Sequence, residues 1–225
     1  MRTRISLILV FFLLLSCHVF AQWSVGVTGG ATLSFRQWNL IDLVDISYDP
    51  GLSYNAALAG EWRAGRLISF RAEGGYQVWR SRTKAEVTDE NGGSLGEFTI
   101  NDDLEALSGA LLAKITPFNR LNLYFLTGPS VARIVKNKAM IKGKLPDGVE
   151  IPRSQSFDLK ESGIEPNQYF VSLGIGNAFN FGSKGQITAE ARYQIGLSNL
   201  STASTVDARI STLLVNLGYL YRLGS

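Results

Sequence analysis

Alternation with a period of two runs through most of this chain. In ITAEARYQIGLSNL (187–200), Ile187, Ala189, Ala191, Tyr193 and Ile195 fall on one parity. Thr188, Glu190, Arg192 and Gln194 fall on the other. Successive side chains of a strand point to opposite faces, so this period predicts a strand with one apolar and one polar face. In LISFRAEGGYQVW (67–79), Phe70, Ala72, Tyr76 and Val78 oppose Arg71, Glu73 and Gln77. In YNAALAGEWR (54–63), Tyr54, Leu58 and Trp62 oppose Asn55, Glu61 and Arg63. In STLLVNLGYLYR (211–222), Leu213, Val215, Leu217, Tyr219 and Tyr221 oppose Thr212, Asn216, Gly218 and Arg222. Such stretches recur near 23–36, 52–63, 67–82, 102–115, 123–135, 167–181, 186–197 and 209–222, with Gly, Asn, Asp, Pro and Ser clustered between them. LEALSGALLAKI (104–115) has helix propensity. Gly109 and the flanking strand patterns nevertheless predict a strand there.

The connections alternate in length. Those at 64–66, 117–122 and 182–185 are short, whereas the polar segments 37–51, 83–101, 136–166 and 198–208 are longer. Short-long alternation predicts an all-β, up-and-down antiparallel transmembrane β-barrel of eight strands, with short periplasmic turns and long external loops. An even strand number places both termini on the short-turn side. No charge interrupts the apolar parity within the strands quoted above. On a lipid face that absence matters, since Arg or Lys at mid-depth costs ~2–4 kcal/mol. The polar parity is mostly Gly, Ser, Ala, Asn and single charges, which leaves an eight-stranded lumen room to close.

Aromatic residues gather toward the strand ends. Trp23, Trp62, Phe70, Phe118, Tyr124, Phe181, Tyr219 and Tyr221 form an expected girdle at the short-turn side. Phe35, Trp38, Tyr54, Trp79 and Tyr169 form a second toward the long loops. Aromatics are also common in the strands of soluble sheets, so a soluble barrel stays open at this point. On the polar face, Glu61, Arg63, Arg71, Glu73, Glu105, Glu190 and Arg192 are expected to point inward as a mixed-sign charge network. Buried charges need partners, and eight strands leave space only for side chains, so the lumen is expected to be filled and salt-bridged.

The N-terminus changes the picture of location. Arg2 and Arg4 precede an apolar run from Ile5 to Leu15, and Val19-Phe20-Ala21 offers a small-x-small cleavage site. Residues 1–21 therefore read as a secretory signal peptide, shorter than the ~20 apolar residues of a membrane-spanning helix. Residues 22–225 are the barrel. Leu14-Leu15-Ser16-Cys17 also resembles a lipobox, which would acylate Cys17 instead. Cleavage after Ala21 removes the chain's one Cys and one His and lowers the formal charge of +3 by two. The exported chain would have no disulfide, thiolate or imidazole, and no basic surplus to mark nucleic-acid binding.

The segments LEALSGALLAK (104–114), LYFLTGPSVAR (123–133), VSLGIGNAFNF (171–181), EARYQIGLSNL (190–200) and LLVNLGYLYRL (213–223) occur in that order. Together with AQWSVGVTGGATLSF (21–35), they resemble the PorT-type outer-membrane β-barrel family of Bacteroidota-like bacteria. The most specific piece is RY-x-x-GL-S/T-N, here Arg192, Tyr193, Gly196, Leu197, Ser198 and Asn199. The resemblance implies an integral outer-membrane barrel, with a secretion-linked role for one relative only. This chain departs from the pattern at Glu105-Ala106-Leu107 and ends in Leu223-Gly224-Ser225 without a terminal aromatic. Recognition by the barrel assembly machinery would then use Tyr219 or Tyr221.

Catalytic chemistry is poorly supplied. Nucleophile–base arrangements lean on His, and none remains after cleavage. Asp42, Asp45, Asp49, Asp102, Asp103 and Glu105 could act in pairs, but acids in loops are more usually solvated. No catalytic residue, metal or cofactor is expected. Arg133, Lys136, Lys138, Lys142 and Lys144 make a basic rim that suits lipid phosphates; a solvated loop is the plainer reading. Gly29-Gly30 and Gly74-Gly75 lack the strand–loop–helix setting of a phosphate cradle. The segment 136–166, with Pro146, Pro152 and Pro166, is the expected contact for a protein partner. The leading expectation is a non-enzymatic outer-membrane barrel with a structural or adhesive role, or a membrane part of a larger assembly. Its partners would be outer-membrane lipids and the assembly machinery. The alternative is a soluble, periplasmic, lipocalin-like barrel with its apolar parity turned inward around a ligand.

Overall fold

A computed structural model describes residues 22–40, 45–47, 49–88, 94–118, 121–143, 153–157, 163–203 and 206–223. Ten strands follow one another: β1 (Gln22–Leu40), β2 (Asp45–Ser47), β3 (Asp49–Arg63), β4 (Ile68–Thr88), β5 (Ser94–Phe118), β6 (Leu123–Gly143), β7 (Arg153–Phe157), β8 (Asn167–Phe181), β9 (Gly185–Gly196) and β10 (Val206–Arg222). Consecutive long strands pair antiparallel, and β10 pairs back onto β1 from Ser24↔Arg222 to Leu40↔Val206. Eight strands thus close a barrel, while β2 and β7 are short additions at its rim. Closure leaves no unpaired edge within the wall, as a structure surrounded by lipid requires. The segment 104–115 lies inside β5 and is strand, not helix.

The strands reach further than alternation alone suggests. Much of 37–51, 83–101 and 136–166 is strand, because β4 and β5 stay paired from Ile68↔Ile115 to Thr88↔Ser94 and β6 runs on to Gly143. Residues 1–21, where the signal peptide is expected, and with them Cys17, lie outside the described residues, as do Lys144, Pro146 and Pro152.

The apolar parity faces outward. Leu58 is 70% exposed, Leu217 68% and Leu111 66%. The charged parity faces inward, with Glu61, Arg71, Glu190 and Arg192 all buried. A barrel of this polarity needs an apolar solvent around it. A lipocalin-like carrier requires the reverse arrangement, which these strands do not have.

Candidate functional site

The inward residues of β4 give the order of layers within the lumen. From the short turns outward they are Ser69, Arg71, Glu73, Gly75, Gln77, Trp79 and Ser81. The lumen follows that order: an ionic layer, an amide and hydroxyl layer, then an apolar layer.

The ionic layer contains three acids and three bases. Arg71 donates from Nε and Nη2 to Glu61 at 3.1 and 3.0 Å, pairs with Glu190, and lies 3.5 Å from Glu73. Arg192 donates to Glu73 at 2.6 and 3.0 Å and to Glu190 at 2.9 Å. Lys114 Nζ donates to both oxygens of Glu61 at 2.9 and 3.1 Å. The Tyr124 hydroxyl donates to Glu190 at 2.7 Å, and Ser69 donates to Glu61 at 3.1 Å. Each charge therefore has a partner, which is what makes burial of six charges tolerable. The Tyr124 ring also lies 4.4 Å from Lys114 Nζ and 5.8 Å from the Arg71 guanidinium.

Above this layer, Gln77 donates to Gln194 at 3.2 Å and Asn55 donates to Asn216 at 2.9 Å. Thr212 donates to Gln194 at 2.8 Å, and Asn55 donates to Thr32 at 3.0 Å. The next layer is apolar. Trp79, Leu104, Ile134, Phe170, Leu200 and Ile210 are buried together, with Trp79 and Phe170 ring centres 5.6 Å apart. Arg36 lies at this outer end, pairing with Asp102 and donating to the Trp79 carbonyl at 3.1 Å.

Two of the apolar plug residues, Ile164 and Leu200, come from the segments that cross the long-loop end. They are tied down by Glu165 N–H to Leu200 O at 2.7 Å and Leu200 N–H to Ala208 O at 2.6 Å. The Asn199 side-chain carbonyl accepts from the Ser201 and Ala208 N–H groups at 3.0 and 2.9 Å. Ser198 Oγ donates to Gln168 at 2.9 Å and accepts from the Tyr169 N–H at 3.0 Å. A Cβ at Gly196 would meet Ile210 O at 2.1 Å, so only glycine fits there. The RY-x-x-GL-S-N stretch thus joins the ionic layer, through Arg192, to the anchor of the outer cap.

The structure brings together five of the seven charges expected inside: Glu61, Arg71, Glu73, Glu190 and Arg192. Glu105 is a correction. It faces outward, accepting from the Tyr76 hydroxyl at 2.6 Å and pairing with Lys138 and, at 3.6 Å, Lys136. Arg63 lines the short-turn mouth with no acidic partner among the described residues. Lys114 belongs to the network and was not foreseen, because its neighbours Leu112, Ala113 and Ile115 obscure the alternation.

Of the expected short-turn girdle, Trp23, Phe70, Phe181, Tyr219 and Tyr221 are exposed on the outer wall. Trp62 stacks between Trp23 and Phe70, at 6.4 and 5.8 Å. Tyr124 is a correction: it is wholly buried in the ionic layer. Trp79, expected in the outer belt, is likewise inside the lumen. Of the basic rim, Arg133, Lys136 and Lys138 are exposed beside a two-point Arg80–Asp103 pair at 2.7 Å. Lys142 lies in β6, and Lys144 is outside the described residues. Among the described residues no group of three or more His, Cys, Asp and Glu is placed to hold a metal ion.

The model of the outer membrane protein beta-barrel domain matches residues 20–202. The chain belongs to that family. A search of curated proteins finds no match. Among solved structures, the fold is similar to Ail of Yersinia pestis, at 16% identity over 89% of this chain and 99% of Ail, with a TM-score of 0.39. It is similar to OprG from Pseudomonas aeruginosa, at 11% identity over 90% and 96% of the two chains, with a TM-score of 0.43. It is also similar to the outer membrane protease OmpT from Escherichia coli, at 8% identity over 90% and 97%, with a TM-score of 0.42. This family member keeps an ionic layer inside its wall and turns a band of apolar residues outward, as an outer-membrane barrel must.

Proposed function

We propose that this outer-membrane barrel is a non-conducting, non-enzymatic scaffold, exported by its signal peptide. It holds the segments at its long-loop end rigidly at the cell surface for a structural, adhesive or assembly role. The observation that carries this reading is the filled lumen, where ionic, amide and apolar layers follow one another without a continuous aqueous path being needed by any of them. Side chains that satisfy one another across the barrel favour rigidity over transport. Segment 136–166 is the proposed protein contact. Arg133, Lys136 and Lys138, outward at the outer end, suit the phosphates of outer-leaflet lipids. The RY-x-x-GL-S-N stretch supports a PorT-type placement, and with it a place in a secretion-related assembly.

Planar-bilayer recording of the purified full chain tests the scaffold reading. The expected trace shows no sustained ion conductance. Stable conductance steps from the unaltered barrel would overturn it.

A further inference from the structure

The short-turn mouth of the barrel holds a cavity of about 370 Å3. Four cations line it, Arg63, Arg66, Lys114 and Arg222, against one acid, Glu61. Glu61 is already matched on both sides, by Lys114 and by Arg71 in the layer above. Lys114 is therefore committed to Glu61. Among the described residues, Arg63, Arg66 and Arg222 have no acidic partner. Arg222 gives one Nη2 bond, at 2.7 Å, to Asn180 and keeps its remaining donors. Besides Arg66, the short turns carry Arg120 and Lys184 in sequence and no Asp or Glu.

The roof of the cavity is the underside of the ionic layer, through Glu61, Lys114 and Tyr124. A cleft with low-dielectric walls and charge of one sign focuses potential on whatever enters. Guanidinium groups match oxyanions through paired N–H donors. Three separate guanidiniums offer more donors than one carboxylate can accept, whereas a phosphate group has three strong acceptor oxygens. The volume falls in the range of small organic ligands. We propose that this mouth binds a phosphate-bearing ligand with two or more negative charges, clamped by Arg63, Arg66 and Arg222. Two sources share that chemistry: a free periplasmic phosphate ester, or a phospholipid headgroup of the inner leaflet.

The test uses the full chain in zwitterionic micelles, titrated with inorganic pyrophosphate by calorimetry, with native mass spectrometry of protein extracted from membranes. One saturable pyrophosphate site is expected, weakened at least about tenfold in the R63Q/R66Q/R222Q variant, as loss of charge-assisted hydrogen bonds predicts. K184Q removes one charge outside the cavity, as R66Q does within it, and should leave binding unchanged. A phospholipid retained by the unaltered barrel and lost from the triple variant identifies a headgroup. Pyrophosphate binding without retained lipid identifies a free ester. Neither saturable binding nor retained lipid would overturn the proposal, as would an equal loss in K184Q. If the triple variant fails to fold, R66Q alone, at an exposed turn, must still weaken binding. The three guanidiniums lie on the mouth side of the ionic layer, so this result is independent of the conductance test.

Discussion

Arg71→Met tests the ionic layer most directly. The layer is balanced, with Glu61, Glu73 and Glu190 against Arg71, Lys114 and Arg192. Arg71 alone touches all three acids. Methionine fills similar length without charge, so the variant leaves one uncompensated negative charge in a closed interior. Removing one partner from a buried ion pair costs about 3–5 kcal/mol. Glu61 keeps Lys114, and Glu190 keeps Arg192 and Tyr124, so the expected loss lies at the low end of that range. That is roughly a hundredfold in the ratio of folded to unfolded barrel. The assay is urea unfolding in micelles, followed by tryptophan fluorescence and by migration of unheated samples on a denaturing gel. The double variant R71M/E190Q restores charge balance and should recover part of the loss, because the two residues share one network. Equal stability of R71M and the unaltered barrel, or a double variant no better than R71M, would refute the reasoning.

Further expectations follow from other layers. Trp79→Ala empties the largest buried side chain of the outer lumen and should destabilise by about 3–5 kcal/mol in the same urea assay, without making the wall leak to ions. Gly176→Ala would place a Cβ 2.4 Å from the Tyr124 ring, which must move from Glu190; a loss of about 1–3 kcal/mol is expected by thermal unfolding. Single-tryptophan variants in bilayers of brominated lipid should show strong quenching for Trp62 and little for Trp79. The opposite order would place the apolar face inside.

The faces of the cleanly alternating strands, the alternating connection lengths and the eight-fold repetition are legible in the sequence. They depend on side-chain periodicity, which the pleat fixes locally. Where alternation is clean, as in β3, β9 and β10, the inward charges Glu61, Glu190 and Arg192 follow from parity alone. Where both faces carry apolar residues, parity is silent. In β5, Leu104 and Leu112 face inward while Leu107 and Leu111 face outward, so Glu105 could not be assigned by pattern. Adjacent Tyr124 and Phe125 pose the same ambiguity, as do Val78 and Trp79. In β6, a register shift pairs Ala106 with Ile134 but Glu105 with Lys136, so the parity changes across Val135.

Only the closed tertiary structure decides which charges meet. Arg71 reaches Glu190 from 119 residues away because the wall curves back on itself. It also decides that the outer lumen is apolar, since Trp79, Phe170 and Leu200 come together from separate strands and a cap segment. Sequence sets the faces because that preference is local. The barrel's circumference sets the partners, because eight strands bring opposite walls within one side-chain length of each other.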